Sequence, residues 1–317
     1  MMHCLRRQRE GGGTVNTGHR VVSSRLPCTH RTALDREAGV AQWSDARVPG
    51  SGVSLHVRHG GRGAAVLLLH GFPDSWRLWS EVAPRLVAAG YRVLMPDLRG
   101  FGRSDAPPSV ADYSLGHIVA DLRALIARLA QDQPVHVVGH DWGAAAGWCL
   151  ALEHPGLVAS HVALSVGHPR EYALAGIAQK LKGLYTLAWQ WPGLSERWLQ
   201  RNGFAGLRGW GRQHPRLEPC IADLSRPGRL TAGLNWYRAN LRRVMLGSWQ
   251  PCTVPTLGVW GDRDCLLAED QMRDSVRRMR APWRYECLQG AGHWLPLEQP
   301  ERVAELAVGW MQEVSSG

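Results

Sequence analysis

A chain of 317 residues with 44% apolar content is long enough for one large α/β domain, or for a core with a smaller companion. No stretch reaches the roughly 18 to 20 uncharged apolar residues that a bilayer span needs. The net charge of +10 does not point to nucleic acid, because outside "RRQR" near the start and "RDSVRRMR" at 273–280 arginine is interleaved with acids and no nucleic-acid motif accompanies it.

Lysine occurs only as Lys180 and Lys182, which reads as a codon-composition effect. The seven cysteines, Cys4, Cys28, Cys149, Cys220, Cys252, Cys265 and Cys287, form no C-x-x-C pair and are odd in number, so a reduced cytoplasmic setting without structural metal is expected. Residues 1–40 are basic, glycine-rich and aperiodic, with no apolar h-region. They are expected to be a disordered extension outside the fold, not a secretory signal.

From residue 41 the chain alternates strand and helix. "AAVLLLH" (64–70) has strand character, and "SWRLWSEVAPRLVAAG" after it has helical spacing closed by Gly90. "YRVLMPD" predicts a strand, "YSLGHIVADLRALIARLAQD" an amphipathic helix, "PVHVVG" a strand, "WGAAAGWCLALEHP" a helix stopped by Pro155, and "LVASHVALSV" a strand. Between 168 and 250, tryptophan, leucine and arginine recur at helical spacing with no strand signal. "TVPTLGVWG" and "WRYECLQG" then predict two more strands, and "ERVAELAVGWMQEV" a closing helix. Unbroken apolar strands alternating with helices imply an α/β fold with a mostly parallel central sheet covered on both faces. Core residues 41–167 and 251–317 would then be interrupted by a helical cap or lid over 168–250.

The loops after the strands hold the reactive side chains, as expected where ligands bind beyond the carboxyl ends of a parallel sheet. They are "HGFPDSW" (70–76), "DLRGFGRSD" (97–105), "GHDWGA" (139–144), "GDRD" (261–264) and "GAGHW" (290–294). "GHDWG" is a strand-turn-helix elbow of the G-x-S-x-G type with Asp141 at its apex in place of serine. The chain order Asp141, Asp264, His293 is the nucleophile, acid, histidine order of the α/β-hydrolases. Asp262 stands in the same turn as Asp264, and either could face His293. Of the other histidines, His70, His140 and His168 are expected to be structural or to line a pocket.

On "HGFPDSW", "GHDWGA", "LYTLAWQWPG", "LNWYR" and "GHW", residues 41–317 resemble the epoxide hydrolase branch of the α/β-hydrolase fold family, its soluble and microbial members with an aspartate nucleophile. The resemblance implies an apolar epoxide, aromatic or alkyl-chain, taken with water to a vicinal diol without cofactor or metal. Asp141 would form an alkyl ester, since a carboxylate is ionised at neutral pH and suits displacement at saturated carbon. His293, oriented by Asp264, would activate the water that clears it. Backbone N–H groups of Phe72 and Trp142 would form the oxyanion hole, and a cis Phe72–Pro73 peptide is expected. Tyr185 and Tyr237 in the lid would protonate the ring oxygen. His70, Pro73, Trp76, Trp189 and Trp294 are expected to line the pocket.

A haloalkane dehalogenase shares the aspartate and histidine and is the alternative; indoles of Trp142, Trp76 or Trp189 would then hold the halide. Phe72, where a halide-binding asparagine often stands, and two superfluous lid tyrosines weigh against it. Trp142 after the nucleophile argues against a fluoroacetate dehalogenase, which would need arginine there. A non-catalytic hydrolase-fold binding protein fits poorly with an intact Asp141, Asp264 and His293 set. Oligomeric state leaves no signature in the sequence.

Overall fold

The computed structural model describes residues 42–316, so the expectation for residues 1–40 lies outside the described residues. Eight strands form one sheet in the order β1-β2-β4-β3-β5-β6-β7-β8. They are β1 (Ser44–Pro49), β2 (Ser54–Gly61), β3 (Ala65–Leu69), β4 (Arg92–Pro96), β5 (Val135–His140), β6 (Val158–Leu164), β7 (Thr256–Gly261) and β8 (Trp283–Leu288). The pairs from β4 through β8 are parallel, whereas β1 with β2 and β2 with β4 are antiparallel. The fold is therefore α/β with a mostly parallel sheet, as expected. The alternation does not begin at residue 41, however, because β1 and β2 form a hairpin through Gly50–Val53, with Gly52 at φ +74°. β1 lies at the sheet edge and is largely exposed, so its "SDARVP" lacks the apolar run of a central strand. Every residue of β5 and β7 is buried, as strands covered on both faces must be.

The core helices are α1 (Val82–Ala88), α2 (Leu115–Ala130) and α3 (Trp142–Glu153). The helix expected over 75–90 is broken into a 3-10 turn at Trp76–Trp79 and α1. Pro84 supplies the reason: it has no N–H to donate, so it fits only in the first turn of a helix that begins near Val82. Between β6 and β7 the chain forms α4 (Pro169–Leu174), α5 (Ile177–Lys182), α6 (Leu184–Ala188), α7 (Leu194–Trp210), α8 (Leu217–Leu224) and α9 (Arg229–Leu246), with no strand. α7 is two helical pieces joined by a kink at Arg201–Phe204, where Asn202 and Phe204 have positive φ. After β7 come α10 (Glu269–Arg273), α11 (Leu295–Glu298) and α12 (Pro300–Ser316).

Candidate active site

Asp141 occupies the turn between β5 and α3 with φ 53° and ψ −123°, a conformation unusual for any residue but glycine. The glycines on either side make the turn possible. A Cβ on Gly139 would lie 2.5 Å from the Gly143 carbonyl oxygen, and one on Gly143 would lie 2.1 Å from that of Leu69. The Phe72 N–H donates to Asp141 Oδ1 at 2.9 Å, and the Trp142 N–H bonds to the same carboxylate. A Cβ on Gly71 would fall 2.2 Å from Oδ1, so that position too must stay bare. The Phe72–Pro73 peptide is cis. Burial raises the Asp141 pKa above the ordinary carboxylate range, against the pull of His293 and the two amides.

His293 lies in the loop after β8. Its Nδ1 donates to Asp264 Oδ2 at 2.8 Å, and its Nε2 stands 3.8 Å from Asp141 Oδ2. Asp264, not Asp262, meets the imidazole; Asp262 Oδ1 instead accepts from the Gly290 N–H at 2.7 Å and holds the turn. Asp264 Oδ1 accepts from the Leu266 and Leu267 N–H groups at 2.8 and 2.9 Å. Burial would raise the Asp264 pKa, but His293 and these amides hold it below the usual value. Burial would likewise lower the pKa of His293, and the carboxylates of Asp264, Asp141 and Asp74 overcome it and push the imidazole up. The His293 carbonyl accepts from His140 Nε2 at 2.8 Å and from the Ser165 hydroxyl at 3.0 Å. His140, pushed down to about 3 by burial, stays neutral.

The helical segment reaches the site from two sides. In "LNWYRAN", Trp236 Nε1 donates to the Arg99 carbonyl at 3.0 Å. Asn240 bonds both the Tyr113 carbonyl and the Leu115 N–H at 2.8 Å. Arg238 pairs with Glu196 at 2.8 Å. These ties fix α9 on the sheet side and leave Tyr237 facing the cavity. On the other side Lys182 Nζ donates to the carbonyls of Asp264 and Leu267 at 2.6 and 2.5 Å, and Gln179 Oε1 accepts from the Ala268 N–H at 2.9 Å. The loop holding Asp264 is thus clamped to α5, three residues before Tyr185. The rings of Tyr185 and Tyr237 meet edge to face, 6.2 Å between centroids. Burial raises both phenol pKa values well above 10, so each keeps its proton.

One cavity contains Asp141, Trp142, Tyr185 and Tyr237, with walls that include Leu115, Val166, Leu241 and Trp249. Tyr172 of α4 is a third tyrosine on its wall, and its sequence setting gave no sign of this. The five residues expected to line the pocket lie elsewhere. His70 is fully buried, with Nδ1 donating to the Gly71 carbonyl and Nε2 accepting from the Leu98 N–H, and so joins the ends of β3 and β4. His168 likewise caps α4 and bonds the Gln250 carbonyl. Trp189 is buried under Tyr185, Phe72 and Tyr237, and Trp294 is buried between His293 and His214. Pro73 and Trp76 line a second cavity with Asp74 and Cys220. Aromatic content of a motif does not say which way its rings turn.

Asp74, His214 and Cys220 are the one group among the described residues with metal-like spacing. Their hydrogen bonds do not suit a metal. The Arg216 N–H donates to His214 Nδ1 at 2.9 Å, so the proton is on Nε2 and points at Asp74 Oδ1, 3.1 Å away. That nitrogen has no free lone pair, and the group is a contact between the helical segment and the "HGFPD" loop.

Sheet order, elbow and histidine loop together define the α/β-hydrolase architecture, and the family model for the alpha/beta hydrolase fold matches residues 64–205. Epoxide hydrolase 2 of Siraitia grosvenorii is 42% identical over 307 residues, covering 83% of this chain and 96% of that one. Epoxide hydrolase 3 of Xenopus tropicalis is 32% identical over 285 residues, 84% and 77% of the two chains. The crystal structure of epoxide hydrolase A from Mycobacterium thermoresistibile superposes with a TM-score of 0.72 at 28% identity, over 86% of this chain and 98% of that one. The chain belongs to the epoxide hydrolase branch of the α/β-hydrolase fold family, whose members are hydrolases acting on ether bonds.

Proposed function

We propose that this protein opens an apolar epoxide and releases a vicinal diol by way of an alkyl ester on Asp141. The observation that carries the reading is one apolar cavity holding the Asp141 carboxylate together with two protonated phenols, Tyr185 and Tyr237. Asp141 Oδ1 is engaged by the Phe72 N–H, which leaves Oδ2 to attack a ring carbon. As the carbon–oxygen bond breaks, the alkoxide takes a proton from a tyrosine, because so basic a leaving group does not depart unassisted. Water then adds to the ester carbon and gives its proton to His293 Nε2. Negative charge gathers on Oδ1 between the Phe72 and Trp142 amides; removing one such donor typically costs about 100 to 1000-fold in rate. Collapse frees the diol, with the proton returned from His293, and the second proton of the water, left on the regenerated Asp141 carboxyl, passes to the tyrosinate and restores both groups.

The charges of the site favour this order of events. Esterification removes the Asp141 charge, one of those that raise the His293 pKa, so the imidazole becomes easier to hold neutral when it must act as base. In this reading residues 169–246 act as the lid, and α9 aims Tyr237 through the Trp236 and Asn240 contacts. Halide release is the second reading. A halide site needs paired donors, and of Trp142, Trp76 and Trp189 only Trp142 lines the cavity, which favours the epoxide.

The test is diol formation from styrene oxide by the wild type and by a folded Tyr185→Phe, Tyr237→Phe double variant. Diol from the wild type and almost none from the variant is the expected result. Bromide release from a bromoalkane without diol from styrene oxide would replace the reading with dehalogenation.

A further inference from the structure

The helices that close the cavity have a second face. α5 and α6 turn Gln179, Lys182, Tyr185 and Thr186 inward, to the Asp264 loop or the cavity wall, and α7 buries Leu199 and Leu207. Their other side is apolar and exposed. Ile177 and Leu181 recur on α5, Leu184 and Leu187 on α6, and Leu194 and Trp198 on α7, each pair at i, i+3 or i, i+4 and therefore on one side of its helix. Ile177 is 71% exposed and Leu194 62%. Large apolar side chains exposed in series mark a contact surface.

Charge identifies what fits it. From 174 to 201 the charged side chains are Lys180, Lys182, Glu196, Arg197 and Arg201. Lys182 is spent on the Asp264 loop, and Glu196 is buried against Arg238. The exposed charges are thus Lys180, Arg197 and Arg201, all positive, with Arg201 packed 4.5 Å over the Trp198 ring. Both lysines of the chain are in this segment. A second copy would set these cations against themselves, since a two-fold interface repeats one patch on both partners. An anionic headgroup layer over an acyl boundary suits both the cations and the apolar side chains, and indoles favour that depth.

We propose that the outer face of α5, α6 and α7 lies on an anionic lipid membrane, a contact in the plane of the surface and not a span. None of the described helices is long and apolar enough to cross a bilayer. Because Leu184 and Leu187 share α6 with Tyr185 and Thr186, that membrane would adjoin the cavity wall.

The experiment is sedimentation of the full chain with vesicles of phosphatidylcholine alone or with phosphatidylserine, a binding readout that needs no turnover. Capture by the phosphatidylserine vesicles, weakened by salt, is expected. An Ile177→Ser, Leu181→Ser, Leu194→Ser variant with an unchanged melting curve should bind at least about tenfold more weakly. Both proteins keep the basic residues 1–40, so the difference belongs to the face. Lys180→Glu with Arg197→Glu should abolish the preference for phosphatidylserine. The proposal is overturned by no capture, by equal capture of wild type and triple variant, or by a dimer of the wild type that the triple variant dissolves.

Discussion

At the scale of single residues, the chemistry is set by how three ionisable groups share one buried space. If the ester forms on Asp141, His293→Gln should accumulate it. Intact-mass measurement should show the protein heavier by one substrate, whereas Asp141→Ala should show neither adduct nor diol. The pH dependence follows from the shifts. On the proposed mechanism, ring opening needs ionised Asp141, whose pKa is raised, and ester hydrolysis needs neutral His293, whose pKa is also raised. Each group is in its inactive, protonated form below its pKa, so both shifts move the acid limb of the rate profile upward. Asp264→Asn removes the largest charge lifting His293. The acid limb of single-turnover ester hydrolysis should then move to lower pH while its plateau falls, and an unmoved limb would remove Asp264 from this role. Asp141 could be read from the sequence because an elbow is a local object, in which two glycines and an apolar strand force the apex outward. The turn by itself left Asp262 open beside Asp264; the family's G-x-x-D spacing from Gly261 favoured Asp264, and the loop after β8 brings His293 to that acid.

Elements carry these residues to one another, and the polar ties at their ends decide how firmly. Asn240→Ala would strand the Leu115 N–H and the Tyr113 carbonyl in a buried place, at a cost of about 1 to 3 kcal/mol. Thermal melting should register that loss, with diol formation falling further as α9 no longer fixes Tyr237. Lys182→Met keeps the aliphatic stem but removes the donors to the Asp264 and Leu267 carbonyls. The expected result is a folded protein in which ester hydrolysis slows more than ester formation, measured by rapid quench. The sequence made Lys182 look like a residue of codon usage, because a lysine bonded to distant backbone carbonyls leaves no local mark. Helical spacing located the 168–250 segment, but not how its helices roll. Trp189 therefore turned into the core, and Tyr172 came to the cavity wall.

Across the whole molecule, a buried ion pair of the core stiffens one of the places where the segment between β6 and β7 meets the sheet. Arg99 is 1% exposed and grips Asp121 through two nitrogens at 2.7 and 2.8 Å, while its own carbonyl receives Trp236. Arg99→Met should cost about 3 to 5 kcal/mol in urea unfolding by leaving Asp121 buried and unpaired, and a second Asp121→Leu change should recover part of it. The amino-acid sequence by itself determined the parallel strands, the elbow and the order Asp141, Asp264, His293, because these depend on contiguous apolar runs and short turns whose physics is complete within a few residues. Only the tertiary structure decided that Tyr172 joins the cavity wall, where the tryptophans turn and that the β1–β2 hairpin opens the sheet. Those outcomes depend on side chains more than twenty residues apart competing for the same buried space, and no local pattern records who fills it.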